Sequence, residues 1–288
     1  MRHYLFALGA ICCWASLPVA TGSGLDGLST DELLFYSFWS GAIFLYLLDI
    51  LKNRTLKLHF PGFKTSFLGI WGIFIYHYTY YSALERAPIA EAAILATTWS
   101  FWIVVFSSWL RLRRLKVSIV LTALICLGGA GLVMGAGKTL AFENQYLVGY
   151  LLALGCGLIW SSFSLGLSLA KPSKDPMTIF MGYAALLSTV LFVVSGPHPL
   201  PGMQSLAAAV YLGCVPLGLS FFLWNRAVVG GNMIVIGYLS YLTPPLAVLL
   251  VALVRGEAVS LQVLVGMTMI IAAAIMGQHF LKRTERAK

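Results

Sequence analysis

Two short stretches carry most of the side chains able to do chemistry. They are Ile75-Tyr76-His77-Tyr78-Thr79-Tyr80-Tyr81-Ser82 and Thr97-Thr98-Trp99-Ser100-Phe101-Trp102. On a helix, His77, Tyr80, Tyr81 and Leu84 share one face, and Tyr78 shares another with Tyr81 and Glu85. Aromatic walls of this kind stack on an aromatic ligand, worth about 0.5–1.5 kcal/mol per ring pair beyond burial. They also hold cations over their π faces, and they serve equally well as core packing. His77 is the one ionisable side chain deep inside an apolar run. At that depth it faces a cavity or a partner because of its desolvation cost, or it is a structural histidine bonded to a backbone carbonyl. Trp14 and Trp160 also lie mid-run, away from the membrane–water interface where Trp concentrates. They either pack at a bundle axis or line a site. In Gly237-Tyr238-Leu239-Ser240-Tyr241-Leu242-Thr243-Pro244-Pro245, two prolines remove two backbone donors and free carbonyls for other partners. A kink bordering a cavity is expected there, with Ser240 and Tyr241 just before it and Thr98 and Trp99 as their counterparts. The candidate binding set is therefore His77, Tyr78, Tyr80, Tyr81, Thr98, Trp99, Trp102, Trp14, Trp160, Ser240 and Tyr241.

What is missing narrows the ligand. No Lys or Arg lies deep in an apolar run, so a phosphate group would lack a charged partner. No carboxylate lies mid-run either: Asp49 is near the end of one, and Glu85 and Glu91 flank a loop. A neutral or zwitterionic solute remains, with uniport the simplest coupling. The alternative is proton coupling through His77, whose unperturbed pKa is about 6.5. Exported cationic or other neutral metabolites are the alternative cargo. Cys12, Cys13, Cys126, Cys156 and Cys214 show no metal-ligand spacing and read as small buried hydrophobes. No cofactor and no metal is expected. An enzyme reading built on His77 with Thr79 or Ser82 lacks an acidic orienter, and no Gly-x-Ser-x-Gly or His-Glu-x-x-His occurs. A receptor would need long loops, which the chain lacks.

The elements that must position these residues are set by composition. The 288 residues are 59% apolar and only 10% charged, against about 25% charged in soluble domains. Apolar runs of membrane-spanning length fall at 4–21, 31–51, 66–84, 90–110, 117–136, 147–169, 177–195, 203–225, 233–254 and 261–281. They are continuous, not alternating, which excludes a β-barrel. Assigning the Lys and Arg of alternate loops puts sixteen on the side of Arg2 and three (Arg86, Lys138 and Arg255) on the other. By the positive-inside rule both termini are cytoplasmic. The net charge of +9 is thus a topology signal, with no nucleic-acid partner implied.

The first run, with Met1-Arg2 ahead of it, resembles a secretory leader. Its own repetition argues that it is retained. Tyr4–Ser16 returns as Tyr150–Ser162 with seven of thirteen residues identical, Trp14/Trp160 among them. Arg113–Ser118 answers Arg255–Ser260, Met134-Gly135 answers Met276-Gly277, and Glu85-Arg86-Ala87 answers Asn225-Arg226-Ala227. The expected architecture is all-α: ten transmembrane helices in two five-helix repeats, 1–141 and 142–288, forming one transmembrane domain. Because five is odd, the second repeat enters the membrane from the opposite side. Inverted repeats of this kind build alternating access around a midplane site; enlargement of a scaffold is the bland alternative.

With the loop Ala83-Leu84-Glu85-Arg86-Ala87-Pro88-Ile89-Ala90-Glu91-Ala92 and the Gly256-Glu257-Ala258 turn after the ninth helix, the chain resembles the drug/metabolite transporter superfamily. It is most similar to the EamA-like branch of bacterial inner-membrane exporters. The first half departs from that pattern, with Arg114-Leu115-Lys116 where the carboxylate would stand. The aromatic third and fourth helices look most like the aromatic amino-acid exporters of this branch. The resemblance implies a multi-pass inner-membrane protein that exports amino acids, with aromatic ones favoured, and whose partners are that small-molecule substrate and the lipid bilayer. Monomer and homo-oligomer both stay open, since Gly128, Gly129 and Gly131 permit close helix packing within or between chains.

Overall fold

The computed structural model describes residues 1–25, 27–138, 140–256 and 258–286, and every regular element among them is helical. Glu257, the carboxylate of the Gly-Glu-Ala turn, lies outside the described residues. The first half comprises α1 (Arg2–Ala15), α2 (Leu17–Leu25), α3 (Thr30–Asn53), α4 (Phe63–Gly69), α5 (Tyr76–Arg86), α6 (Ile89–Ala96), α7 (Trp99–Leu112) and α8 (Val117–Met134). The second half holds α9 (Leu147–Ala170), α10 (Met177–Val194), α11 (Met203–Leu212), α12 (Ser220–Gly230), α13 (Met233–Ser240), α14 (Thr243–Arg255) and α15 (Leu261–Arg286). Among the described residues, nine helical stretches are long and apolar enough to cross a membrane. The stretch from α4 to α5 is of comparable length but is not one of them, because its tyrosines, His77 and Ser82 make it too polar.

Several helices are interrupted, and each interruption has a local cause. Residues 89–112 break at Thr97–Thr98, between α6 and α7. Neither Gly nor Pro stands there. Instead the Thr97 hydroxyl donates to the Ala93 carbonyl (2.8 Å) and the Thr98 hydroxyl to the Leu95 carbonyl (2.7 Å), the local bonds by which Thr competes with the helix ladder. In the second half the break falls at Tyr241–Leu242, between α13 and α14. The prolines expected to make it, Pro244 and Pro245, stand in the first turn of α14, where their missing N–H groups cost nothing. Both broken helices end on a left-handed residue, Arg113 (φ 55°) and Gly256 (φ 67°). The α4–α5 connection is a π-helical segment, Ile70–Ile75, and α11–α12 are joined by another, Gly213–Leu219. Such wide turns occur mostly as single insertions in α-helices, frequently at functional sites.

The chain divides into two compact units, each drawn from both halves of the sequence. One comprises Met1–His77 and Gly166–Val229. In it α3 starts from a capping box: Ser29 and Glu32 bond each other's backbone N–H groups. The α3 helix then packs along α10, with Phe35 stacked on Phe192 at 4.3 Å and the Trp39 indole N–H bonded to Thr189 (2.9 Å). Gly41 lets α3 approach the π segment, since a Cβ there would meet the Gly213 carbonyl oxygen at 2.8 Å. The other unit comprises Tyr78–Leu165 and Gly230–Lys288. Its apolar core joins α8, α13 and α15 through Ile119, Cys126, Val133, Ile234, Tyr238 and Ile270. The α8 and α15 backbones meet at Gly129 and Gly266, where either Cβ would fall within 2.8 Å of the other's carbonyl oxygen.

Candidate functional site

In the second unit the densest polar and aromatic constellation surrounds the α6–α7 break. Helix α9 presses on it through Gly157, where a Cβ would lie 2.3 Å from Thr98 Oγ1 and 3.2 Å from the Trp99 amide nitrogen. One turn further along α9 the Trp160 indole meets Trp99 edge-on, with centroids 6.4 Å apart and planes at 78°, and Trp160 packs on Phe163 (5.3 Å). The second broken helix reaches the same place. The Ser240 hydroxyl is shared between two acceptors, the Gly237 carbonyl (2.7 Å) and Ser100 Oγ (2.9 Å). Thr243 in turn donates to the Ser240 carbonyl (2.8 Å). Thr98, Trp99, Trp160 and Ser240 are thus gathered around one pair of helix breaks. Irregular backbone of this kind inside apolar spans is tolerated where it is buried in protein or lines a cavity.

The remaining candidates of that unit are distributed differently. Tyr81 is buried against Tyr80, with centroids at 5.7 Å, whereas Tyr78 is 45% exposed. Trp102 stacks on Phe106 at 5.3 Å and touches Phe101 edge-on, one turn beyond the break. Tyr241 is fully buried in the apolar core, its hydroxyl donating to the Ala123 carbonyl (2.8 Å). Beside it the Tyr238 hydroxyl lies 2.6 Å from Thr122 Oγ1, and its ring occupies the space left by Gly277.

Trp14 and His77 belong to the first unit. Trp14 is buried against Trp224 (5.0 Å) and, edge-on, Phe221 (6.4 Å). His77 is 5% exposed and enclosed by Phe38 (5.4 Å), Tyr76 (5.0 Å) and Phe221 (5.9 Å). Its Nδ1 lies 2.7 Å from the carbonyl of Ile73, inside the π segment. A carbonyl only accepts, so Nδ1 carries the proton. Ser220 plays the same part in α12, donating from its first residue to the carbonyl of Pro216 in the other π segment. In both places a side chain satisfies a carbonyl four residues back. Elsewhere in this unit a pocket of about 370 Å³, bounded by Asp49, Lys52, Lys174 and Asp175, includes none of the candidate residues. Among the described residues no three His, Cys, Asp or Glu side chains are arranged to hold a metal ion.

The profile of the EamA-like transporter family matches residues 1–135 and again 147–276. The chain belongs to the EamA-like transporter family. It is 29% identical over 283 residues to the aromatic amino acid exporter YddG of Ancylobacter novellus, covering 97% of this chain and 98% of that one. To the aromatic amino acid exporter YddG of Salmonella typhimurium it is 21% identical over 286 residues, covering 94% and 95%. A solved crystal structure has the same fold, with a TM-score of 0.85 at 28% identity over 96% of this chain and 98% of the other. The molecule is accordingly a multi-pass membrane transporter.

Some residues that pack against the candidates of this EamA-like transporter carried too weak a signal to be read from sequence. Phe221 and Trp224 are the aromatic partners of Trp14. They lie just before Asn225-Arg226-Ala227, and extending the match to Glu85-Arg86-Ala87 by one turn, which aligns them with Tyr81 and Leu84, is the signal that could have found them. Gly157 and Ser100 gave no such sign, because a glycine or serine in an apolar run has many uses. Glu91 stands in the span as a buried residue, 3% exposed, although it borders a loop in the sequence.

Proposed function

We propose that this transporter exports amino acids, aromatic and other neutral ones, across a bacterial inner membrane by alternating access. Two five-helix repeats, 1–141 and 142–288, inserted in opposite senses, would exchange conformations around a shared site. The α4–α5 stretch would be the tenth crossing, and both termini would be cytoplasmic. Several recurrences support the repeat. Breaks occur at Thr97–Thr98 and Tyr241–Leu242, π segments precede α5 and α12, and the family profile matches twice. Similarity to two aromatic amino acid exporters supports the cargo.

The single observation that carries the substrate reading is the Trp99–Trp160 pair beside two broken helices, in spans without a deep cation. Indole faces bind an aromatic side chain, while hydroxyls and freed backbone groups at the breaks suit a zwitterion's ammonium and carboxylate. The bond from His77 to Ile73, within a closed aromatic shell, favours a structural use of that ring. Counterflow of radiolabelled Phe, Trp and Tyr into proteoliposomes tests the reading. Uptake above empty vesicles, competed by unlabelled aromatic amino acids, is expected. No flux of any amino acid would refute it.

A further inference from the structure

One buried carboxylate has no part in the site described above. Glu91, in the first turn of α6, is 3% exposed and lies within a stretch apolar enough to cross a membrane. Its Oε1 accepts the Ala141 N–H at 2.8 Å and its Oε2 accepts the Tyr150 hydroxyl in a short bond. Both donors are neutral. Among the described residues no Lys, Arg or His lies within ion-pair distance of it. Arg86, at the end of α5, is turned to the Ser82 carbonyl (2.9 Å) and to Glu85 (3.5 Å). Lys138 is exposed, and Glu143 and Tyr146, the titratable groups of the linker into α9, add no positive charge. The carboxyl is thus held by neutral donors alone, at the end of a span in which ionisable groups are usually functional. The scaffold does not require it: the corresponding third residue of α13 is Val235.

We propose that Glu91 is a proton-binding site at the outer end of α6, and that protonation weakens the clasp joining α6 to the linker and α9. The outer placement rests on the topology proposed above. Ala141 is exposed, so water stands one residue from the carboxylate. A proton taken up from that water converts the carboxylate to a carboxylic acid. The Ala141 and Tyr150 bonds then lose their charge assistance, and the hold of α6 on the linker weakens. Export through this chain then responds to external pH, a regulation that neither the aromatic pair nor His77 supplies.

Hydrogen exchange read by mass spectrometry on the linker and first turn of α9 tests this in the purified full-length protein. After correction for intrinsic exchange, protection of the wild type falls about tenfold between neutral and acid pH, the factor for one charge-assisted bond. Protection of Glu91→Gln does not change with pH and stays near the wild type's acid value, because its amide is neutral throughout and mimics the protonated acid. Tyr150→Phe, a second variant, exchanges faster at neutral pH and responds less to acid. Export measured against external pH follows the same pattern. An equal acid response in wild type and Glu91→Gln, or none in either, overturns the proposal. Absence of amino-acid flux overturns the transport reading alone, since the exchange result still decides the role of Glu91.

Discussion

Gly157 and Thr98 touch where no side chain fits on the glycine: a Cβ there would lie 2.3 Å from Thr98 Oγ1. The Thr98 hydroxyl cannot simply turn away, because it is bonded to the Leu95 carbonyl at 2.7 Å and that bond helps hold the break. Helix α9 therefore lies directly on the interrupted backbone of α6–α7, and Trp160, one turn on, reaches Trp99. One missing side chain sets the geometry of the indole pair.

Gly157→Ala is expected to push α9 off the break. Overpacking of this size costs about 1–3 kcal/mol, read as a lowered thermal midpoint in detergent together with slower flux. Thr98→Ala in the same chain removes the clashing oxygen and should restore much of both. The Trp99 amide nitrogen, 3.2 Å from the added Cβ, keeps the recovery incomplete. A double variant no better than Gly157→Ala would show that the contact does not limit the fold.

Trp99→Phe and Trp160→Phe keep aromatic faces but shrink the pair. If the indoles receive the substrate ring, each raises KM for tryptophan by about 2–10-fold, from an aromatic pair worth about 0.5–1.5 kcal/mol. The two effects should be non-additive in a double-mutant cycle, because the residues are in contact. Initial-rate uptake by proteoliposomes measures this, and Trp14→Phe, in the other unit, provides the comparison.

Helix positions were legible in the sequence because apolar runs and Lys/Arg-rich loops follow directly from the cost of burying charge. The nine stretches long and apolar enough to cross a membrane among the described residues show how far that reasoning carries, and the α4–α5 stretch shows its limit, where side-chain polarity masks length. Helix interruptions were half legible. Pro244-Pro245 announced a break and missed its site by two residues, since proline is comfortable just after a helix start. Thr97-Thr98 announced nothing, because threonine breaks a helix only when its hydroxyl takes a backbone carbonyl, which depends on packing. Of the aromatic candidates, Trp160 meets another candidate ring, Trp99, and Tyr80 meets Tyr81. Tyr241 lies in the core, for a period-3.6 pattern marks buried faces without telling a cavity from a packed interior.

Tyr241→Phe separates these two meanings of burial. Its hydroxyl bonds the Ala123 carbonyl inside the α8–α13–α15 core, so its loss should destabilise by about 0.5–1.5 kcal/mol and leave KM for amino acids unchanged. Thermal midpoints and uptake kinetics on one preparation check both halves. A raised KM with unchanged stability would move Tyr241 into the binding site.

Asp175 predicts a pH dependence of stability in the loop between α9 and α10. Burial pushes its carboxyl above the ordinary 3.8, against the opposing pull of the Met177 N–H, Asn225, Arg226 and Lys52. The Arg226 Nε is 3.9 Å from Oδ2, beyond hydrogen-bond reach, because its guanidinium is held over Phe222 at 4.2 Å and its backbone carbonyl by His3. The ion pair therefore does not offset desolvation. The sign follows from linkage: the folded state holds this proton more tightly than the unfolded chain does. The favourable contribution is complete below the ordinary value and is lost as pH rises through the folded one. Asp175→Asn, neutral throughout, should match the wild type's thermal midpoint near pH 4 and exceed it increasingly as pH rises, until the gap levels off above the folded value. A midpoint below wild type at neutral pH would mean that the charged pair with Arg226 stabilises after all.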